Sequence, residues 1–227
     1  MTDFPPEIIR SLLAKFGKDS QGQGDIPPLL TFRELHRVLT VAEKSVIKKL
    51  LALDPLKLGF KGQFVTLDEP KSKLLAISGQ YFVIDGQKQI IPTQYLPTDI
   101  WRSFQKMAKK LNVDTGGQLH VDSGYRSPAC QALVFLSWLE RHMFDLKRTA
   151  KGVALPGYSQ HGDPIHTAFD VLNHEGLPTD EEQQKFAMTK EFKWLIKNAG
   201  QFGFTLSYPM GNSDGVIFEP WHWRYLN

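Results

Sequence analysis

Residues 158–171 have the sequence YSQHGDPIHTAFDV, a polar loop that leads into an apolar segment. Two histidines and two aspartates occur in this stretch, which Gly162 and Pro164 interrupt. A short polar loop that runs into a strand is a suitable frame for a metal ion. We therefore start from the hypothesis that His161 and Asp170 bind a zinc ion. The rest of the chain would supply a third ligand, a base and a group that holds the substrate.

The composition describes an ordinary globular protein that can bury a core, with 41% hydrophobic and 22% charged residues among 227. The net charge of +3 is too small to indicate a nucleic-acid partner. It is compatible with an anionic polymer such as a cell wall, but does not require one. The single cysteine, Cys130, rules out an internal disulfide and a cysteine-rich metal cluster. Oxygen and nitrogen ligands therefore remain for a metal.

Two features bear on location. No apolar run approaches the ~18 residues of a membrane span. The first residues, MTDFPP, lack the basic and apolar regions of a secretory signal. Either the protein stays in the cytoplasm, or it leaves by another route, or a signal has been removed. The sequence does not fix an oligomeric state, and a monomer is favoured.

The order of the predicted elements indicates an α+β fold with an antiparallel sheet, because helices and strands are segregated along the chain. Residues 1–58 have helical patterns, including Thr31 and Glu34 at the spacing of a capping box and apolar residues at helical spacing from Leu35 to Leu50. We expect this part to be a helical N-terminal extension that packs on the rest, rather than a separate wall-binding module. Residues 59–227 would form the second, catalytic domain.

The elements of that domain follow from local signals. Short apolar runs predict strands at 64–67, 74–77, 81–84, 90–91, 119–121, 168–171, 204–207 and 215–218. Asp85-Gly86 predicts a hairpin turn. Helices are predicted from Asp99 to Leu111, from the cap Ser127 with Pro128 to Met143, and over 192–200. We expect a Lys/Arg-rich loop between the second of these helices and residue 158.

A catalytic zinc site needs three protein ligands, an open position and a nearby base. Asp170 lies in an apolar strand, where a lone carboxylate is costly unless it is paired or bound to a metal. His222 lies between two tryptophans, which could surround the ion. Glu219 is three residues before His222 and would act as the base. Since Pro220 keeps Glu219 extended, a bend must bring both side chains to one face.

Arg126 is the candidate substrate clamp. It lies in SGYRSP, residues 123–128, between a strand and the start of a helix. A planar guanidinium beside the positive end of a helix makes an anion site. Such a site suits a substrate carboxylate or a developing oxyanion. A solvated arginine and, for Glu219, a surface ion pair are the alternatives to these roles.

Several segments together resemble the zinc D-alanyl-D-alanine carboxypeptidases of the VanY type, a family related to VanX and the LD-carboxypeptidases. The family signatures S-x-H-x-x-G-x-A-x-D and E-x-W-H are similar to Ser159-Gln-His161, Ala168-Phe-Asp170 and Glu219-Pro-Trp-His222. Further similar segments are Ser123-Gly-Tyr-Arg-Ser127 with Gln131, residues 198–204, Tyr208-Pro209 and residues 221–225. The resemblance covers about 95–227, and its ordered motifs are specific.

The resemblance implies a peptidoglycan peptidase in which His161, Asp170 and His222 hold zinc and Glu219 is the catalytic base. Arg126 would polarise the scissile carbonyl or bind the substrate. The remaining matched positions, which line the pocket in the family, are Gln131, Ser159 and Tyr208. The implied substrate is a peptidoglycan stem peptide, from which the enzyme would remove a C-terminal D-alanine.

One departure from the family pattern lies in the opening stretch. The family histidine precedes the aspartate by seven residues, whereas His161 precedes Asp170 by nine. Counting back seven from Asp170 gives Asp163, and the family's glycine corresponds to His166. His166 is therefore a rival ligand. We favour His161, because Ser159 keeps its place two residues before it and loops absorb insertions readily.

Two other functions remain open at this point. The first is a zinc endopeptidase of the phage-lysin type that cuts within the stem peptide, which the missing signal segment keeps in consideration. The second is a protein that keeps the zinc fold for binding without catalysis. The presence of Glu219 and Arg126 argues against the second function, because a binding protein needs neither a base nor an oxyanion clamp.

Overall fold

The computed structural model describes residues 4–17, 26–69, 73–177 and 183–226. Its helices are α1 (Pro6–Ala14), α2 (Phe32–Val38), α3 (Val41–Leu51), α4 (Thr98–Thr115), α5 (Pro128–Arg141), α6 (Leu146–Gly152), α7 (Gln183–Met188) and α8 (Lys190–Asn198). Its strands are β1 (Leu74–Ile77), β2 (Tyr81–Ile84), β3 (Gln87–Ile90), β4 (Gln94–Pro97), β5 (Leu119–Ser123), β6 (Ala168–Asn173), β7 (Phe204–Leu206) and β8 (His222–Tyr225).

The chain divides into two compact units that do not follow the chain order. The first unit combines Met1–Glu69, Arg126–Gly162 and Asn212–Ile217. The second unit combines Pro70–Tyr125, Asp163–Gly211 and Phe218–Asn227. The proposed boundary between an extension and a catalytic domain near residue 58 stays a prediction.

The first unit is helical, and its core lies where α1 meets α3 and α5. The apolar face of α1 places Ile9 and Leu12 in that core with no exposed surface. They pack with residues of α5 that include Leu133 and Leu136. Ser127 caps α5, since its Oγ accepts a hydrogen bond from Cys130 N at 3.0 Å. The predicted cap of this helix is therefore confirmed.

The apolar run from Leu35 to Leu50 forms two helices. The predicted capping box at the start of α2 is confirmed, with Thr31 and Glu34 bonding reciprocally. A second capping box then forms between Thr40 and Glu43 and begins α3. Thr40 has an extended backbone where it caps α3, so the helix is interrupted there. The helical spacing of the apolar residues nevertheless continues from α2 into α3.

The second unit contains a four-stranded antiparallel sheet in the order β5-β6-β8-β7. One face of this sheet packs on α4 and α8 through a core that includes Phe104, Phe169, Trp194 and Trp223. Two smaller antiparallel pairs, β1 with β4 and β2 with β3, complete the strands of the described residues. The α+β class with an antiparallel sheet is confirmed.

Local signals located many elements correctly. The strands 74–77 and 81–84 have the predicted bounds. The hairpin turn at Asp85-Gly86 is confirmed, and both residues have a positive φ, of 50° and 75°. Such a turn favours Gly at its second position, because a side chain is strained there.

Two predicted strands are wrong. Residues 64–67 are irregular, and the N–H groups of Val65 and Thr66 both donate to Gly157 O. Residues 215–218 are also irregular, and Ile217 N donates to Lys151 O. Each segment thus donates to a single carbonyl, one in a turn and one in the helix over Leu146–Gly152, and this is not the continuous ladder of hydrogen bonds that a strand needs.

Two helix predictions also need correction. Helix α5 ends at Arg141, and Met143 lies beyond it with a φ of 54°. The Lys/Arg-rich segment that follows contains the short helix α6, which Asp145 caps by accepting from Arg148 N at 2.9 Å. The aspartate cap was a local signal for this helix. In the described part of the chain, no helix is long and apolar enough to cross a membrane.

Glu43 provides a test of the first unit. Burial acts to raise the pKa of Glu43, but hydrogen bonds from Lys15, Thr40 and Ser11 prevail and lower it to about 2. A carboxylate with a lowered pKa stabilises the fold above its ordinary pKa, and that contribution is lost as the pH falls toward 2. We expect Glu43→Gln to lower the free energy of unfolding at pH 7 by about 2 kcal/mol. The difference from the unaltered protein should shrink with falling pH in chemical unfolding experiments.

Glu34→Gln is the matched control, because Glu34 has the same place in the other capping box but is exposed. Its effect should be distinctly smaller. If both substitutions lowered the free energy of unfolding equally, the buried Glu43 would make no special contribution.

Candidate metal centre

Asp170 and His222 are brought together by the pairing of β6 with β8. The antiparallel register places Asp170 directly opposite His222. Asp170 Oδ1 lies 2.9 Å from His222 Nδ1. Their neighbours Phe169 and Trp223 belong to the core on the other face of the sheet. Since side chains alternate along a strand, Asp170 and His222 share the face that is turned away from that core.

Glu219 reaches the same place through a turn. His222 N donates to Glu219 O at 3.2 Å, so the chain bends between these residues just before β8 begins. The bend brings Glu219 Oε2 to 3.8 Å from His222 Nδ1. Glu219 is 7% exposed and His222 is 4% exposed. The expected bend is present, and it gives a buried carboxylate beside the imidazole.

The two tryptophans do not surround His222. Trp223 lies in the core on the opposite face, and Trp221 packs against that same core. Strand alternation explains the result, because the residue that follows His222 must point away from it. Tyr208 is beside His222 instead, with ring centroids 4.8 Å apart. Its carbonyl also accepts from Glu219 N at 3.0 Å, so Tyr208 contacts both the imidazole and the turn.

His161 lies in the first unit, in a 3-10 turn over Gln160–Gly162. Its side chain is 1% exposed, and Ser159 two residues earlier is also buried. The turn is closed by Gly162 N, which donates to Ser159 O at 3.0 Å. Arg126 N donates to His161 O at 3.2 Å, which ties this turn to the segment that precedes α5.

Three of the predicted residues form a group that could hold a metal ion. One ligand atom each from His161, Asp170 and His222 lie within 4.8 Å of one another. Two imidazoles and one carboxylate match the donor set of catalytic zinc sites, which leave a fourth position open. The donor set therefore fits zinc.

His166 is not part of this group. Its ring Nδ1 lies 3.9 Å from Asp163 Oδ2, and its side chain is 41% exposed. The rival histidine thus directly follows the Gly162–Ile165 loop, called the inserted loop below because the two extra residues are assigned to it, and its ring is in partial contact with solvent.

Arg126 and Gln131 lie in the first unit beside the start of α5. Gln131 Nε2 donates to Ala154 O at 2.7 Å, whereas its Oε1 is buried and has no hydrogen-bond partner among the described residues. Arg126 Nε is also buried and has no hydrogen-bond partner among the described residues. A buried polar atom without a partner is costly, so both atoms are suited to a polar ligand.

The role of Asp163 was not predicted from the sequence. Its Oδ1 accepts from the N–H groups of Ile165 and His166, both at 2.9 Å. Its Oδ2 accepts from Arg224 at 2.6 Å. Arg224 belongs to β8 and also donates to His166 O at 3.3 Å. Asp163 and Arg224 therefore hold the inserted loop against the strand that carries His222. An aspartate before a proline was the only local signal of such a turn.

Comparison with known proteins gives the family. A sequence model described as VanY, D-alanyl-D-alanine carboxypeptidase, matches residues 93–227. The chain belongs to the VanY family of D-alanyl-D-alanine carboxypeptidases. The matched region contains all of the candidate site residues, and it begins close to the start predicted from the motifs.

Curated members of the VanY group resemble the chain at modest identity. YodJ of Bacillus subtilis (strain 168), which is named as a carboxypeptidase, is 26% identical over 71% of this chain and 62% of its own length. A D-alanyl-D-alanine carboxypeptidase of Enterococcus faecium is 26% identical over 82% of this chain and 54% of its own length. The chain thus spans just over half to three-fifths of these relatives.

Solved structures support the fold. The LdcB LD-carboxypeptidase has a TM-score of 0.57 and 23% identity, covering 76% of this chain and 78% of its own. A mutant of the vancomycin-resistance D,D-pentapeptidase VanY in complex with Zn(II) has a TM-score of 0.51 and 20% identity, covering 75% and 88%. At this level of identity the likeness shows a shared VanY/LdcB-like α+β architecture.

Asp163 gives the testable prediction for this region. Burial acts to raise the pKa of Asp163, but hydrogen bonds from His166, Ile165 and Arg224 prevail and lower it. The carboxylate therefore stabilises the fold above its ordinary pKa, and loses that contribution as the pH falls through its lowered pKa. Asp163→Asn should reduce the free energy of unfolding at pH 7 by about 2 kcal/mol.

Unfolding curves at pH 7 and at pH 3 test this prediction. The difference in the free energy of unfolding between the unaltered protein and Asp163→Asn should be smaller at pH 3. Asp68→Asn, at an exposed position, is the control and should leave stability nearly unchanged. A constant difference at both pH values would show that the charge of Asp163 is not the cause.

Proposed function

We propose that the protein is a zinc-dependent D-alanyl-D-alanine carboxypeptidase that removes the C-terminal D-alanine from peptidoglycan stem peptides. The observation that supports this proposal best is the group of His161, Asp170 and His222, of which the two histidines are buried and the aspartate is partly buried, with the carboxylate of Glu219 3.8 Å from His222 Nδ1. Membership of the VanY family supports the same substrate class. The first curated relatives that match are named as carboxypeptidases.

His161, Asp170 and His222 would hold the zinc. Zinc bound there would supply a Lewis acid and lower the pKa of a water to about 7. Glu219 would take a proton from the attacking water and deliver it to the leaving amine of D-alanine. Its burial suits this task, because a shielded site keeps bulk water away from the proton transfer.

Substrate binding in this proposal uses the polar atoms beside α5. Arg126 would bind the free carboxylate of the terminal D-alanine or the developing oxyanion, aided by the positive end of the helix. The buried Oε1 of Gln131 would accept a hydrogen bond from a peptide N–H of the substrate. Ser159 and Tyr208 would line the pocket. An exopeptidase needs a site for the free terminal carboxylate, whereas an enzyme that cuts inside a peptide does not.

Glu219→Gln tests the catalytic role. The amide keeps the shape of the side chain but cannot accept the proton, so kcat should fall by at least about 100-fold while zinc remains bound. The assay follows stem peptides that end in D-Ala-D-Ala, L-Lys-D-Ala and D-Ala-D-lactate by mass spectrometry, with and without chelator. Loss of a single D-alanine from the first peptide supports the proposal.

Internal fragments of the stem peptide would instead assign endopeptidase activity. Cleavage that continues at the normal rate in the Glu219→Gln protein would contradict the mechanism, and zinc binding without any cleavage would indicate a binding protein. Release of D-alanine chiefly from L-Lys-D-Ala would change the substrate to the tetrapeptide.

Metal analysis tests the assignment of the histidine ligands. We expect His161→Asn to lower zinc affinity at this group by at least about tenfold, since even changes outside the ligand shell have effects of that size. His166→Asn is the matched control, because it removes an imidazole from the same loop and should leave that affinity unchanged. The reverse pattern in equilibrium dialysis would make His166 the ligand.

A further inference from the structure

His120 and His174 form a second imidazole pair, which the proposed peptidase mechanism does not use. His120 lies in β5 opposite Leu172, and His174 directly follows the end of β6. Residues 172 and 174 are two apart on β6 and its continuation, so the two histidines are diagonal neighbours on one face. Their ring centroids lie 5.8 Å apart, with the ring planes at 43°.

Both histidines have a buried ring nitrogen without a hydrogen-bond partner in the described part of the chain. These atoms are Nε2 of His120 and Nδ1 of His174. Leaving such a nitrogen unsatisfied lowers the stability of the fold, and here two occur in neighbouring rings. A single ion that contacts both nitrogens would satisfy both together, whereas the two rings do not satisfy each other.

The surroundings fix this arrangement. Tyr81 covers the pair, with its ring centroid 6.4 Å from that of His120 and 5.7 Å from that of His174. Gln80, next to Tyr81, holds β2 against β5. Its side chain donates to Val121 O and accepts from Val121 N, both at 2.9 Å. On the other side, Val83 N donates to His174 O at 2.8 Å. The hairpin of β2 and β3 is thus tied to both histidine-bearing segments.

The spacing of the rings suits one metal ion. A zinc–nitrogen bond of about 2.0–2.1 Å puts each ring centroid about 3.2 Å from the ion, so two imidazoles on one ion have centroids about 5–6 Å apart. The observed separation of 5.8 Å falls in this range. Imidazole is a preferred ligand of zinc, copper and nickel.

The charge state of His120 is also favourable. Burial, and then the proximity of His174, lower the pKa of His120. A lowered pKa keeps the imidazole neutral near pH 7, which is the form that binds metals. The positive charge of Lys88 would repel a metal cation, since its Nζ lies 3.9 Å from the centroid of the Tyr81 ring. The site should therefore bind more weakly than the group of three.

We propose that His120 and His174 form a second divalent transition-metal site, separate from the group of His161, Asp170 and His222. The ion would link β5 to the segment that follows β6, below the ring of Tyr81, and water would complete its coordination. Its role would be to stabilise the second unit, since an ion that binds the folded protein alone raises its stability.

Zinc titration of the full chain tests this site. Equilibrium dialysis should give two zinc ions for each unaltered chain, the second with the weaker affinity, and the second equivalent should raise the thermal unfolding midpoint. His120→Asn and His174→Asn should each weaken the second equivalent by about tenfold or more and leave the first unchanged. His142→Asn is the matched control, because His142 bonds Thr149 in the first unit and should have no effect.

Nitrogen-15 NMR of the unaltered chain tests the same site without any substitution, so the result does not depend on whether a variant folds. The second equivalent of zinc should shift the ring nitrogens of His120 and His174 together. A titration that leaves the ring nitrogens of His120 and His174 unshifted would overturn the proposal and indicate that water fills the site. A single equivalent of zinc that shifts these nitrogens would support the second site and count against the group of His161, Asp170 and His222.

Discussion

The antiparallel register of β6 against β8 is the constraint on which the candidate site depends. It puts Asp170 opposite His222 on one face, and Phe169 and Trp223 in the core on the other. A slip of β6 by one residue would exchange the faces of its side chains, burying the carboxylate of Asp170 in the core and exposing the ring of Phe169. Such an exchange would cost several kcal/mol for the carboxylate alone. The hydrophobic core therefore fixes the geometry of the face that carries Asp170 and His222, although it contributes none of the candidate ligands.

The position of Glu219 depends on the same core through a different route. Glu219 precedes the strand, where no ladder holds it, and a turn sets its direction instead. Trp223 anchors that turn from the core side, because its indole Nε1 donates to Pro220 O at 3.1 Å. The positions of Glu219 and His222 thus depend on one buried tryptophan, whose ring packs on one face while its neighbour His222 points to the other.

Sequence patterns predicted the parts of this structure that depend on neighbours in the chain. The capping residues Thr31 and Ser127, the hairpin at Asp85-Gly86 and the strand that carries Asp170 all have local causes. The irregular segments 64–67 and 215–218 were misassigned because an apolar run shows only that side chains are buried, and not whether a partner strand exists. The contact of Asp163 with Arg224 joins residues 61 positions apart, so no local pattern contains it.

Two extra residues lie between His161 and Asp170, yet the register of β6 can stay fixed. The hydrogen bonds of Asp163 explain how. Its side chain accepts from Ile165 and His166, and its carbonyl accepts from the hydroxyl of Thr167. The loop therefore closes on itself before β6 begins at Ala168, and the added length does not shift the strand. Because Arg224 holds the same carboxylate from β8, an insertion at this point tightens the connection to the neighbouring strand. A loop that satisfies its own backbone groups in this way can vary in length while the ligand on the following strand keeps its place.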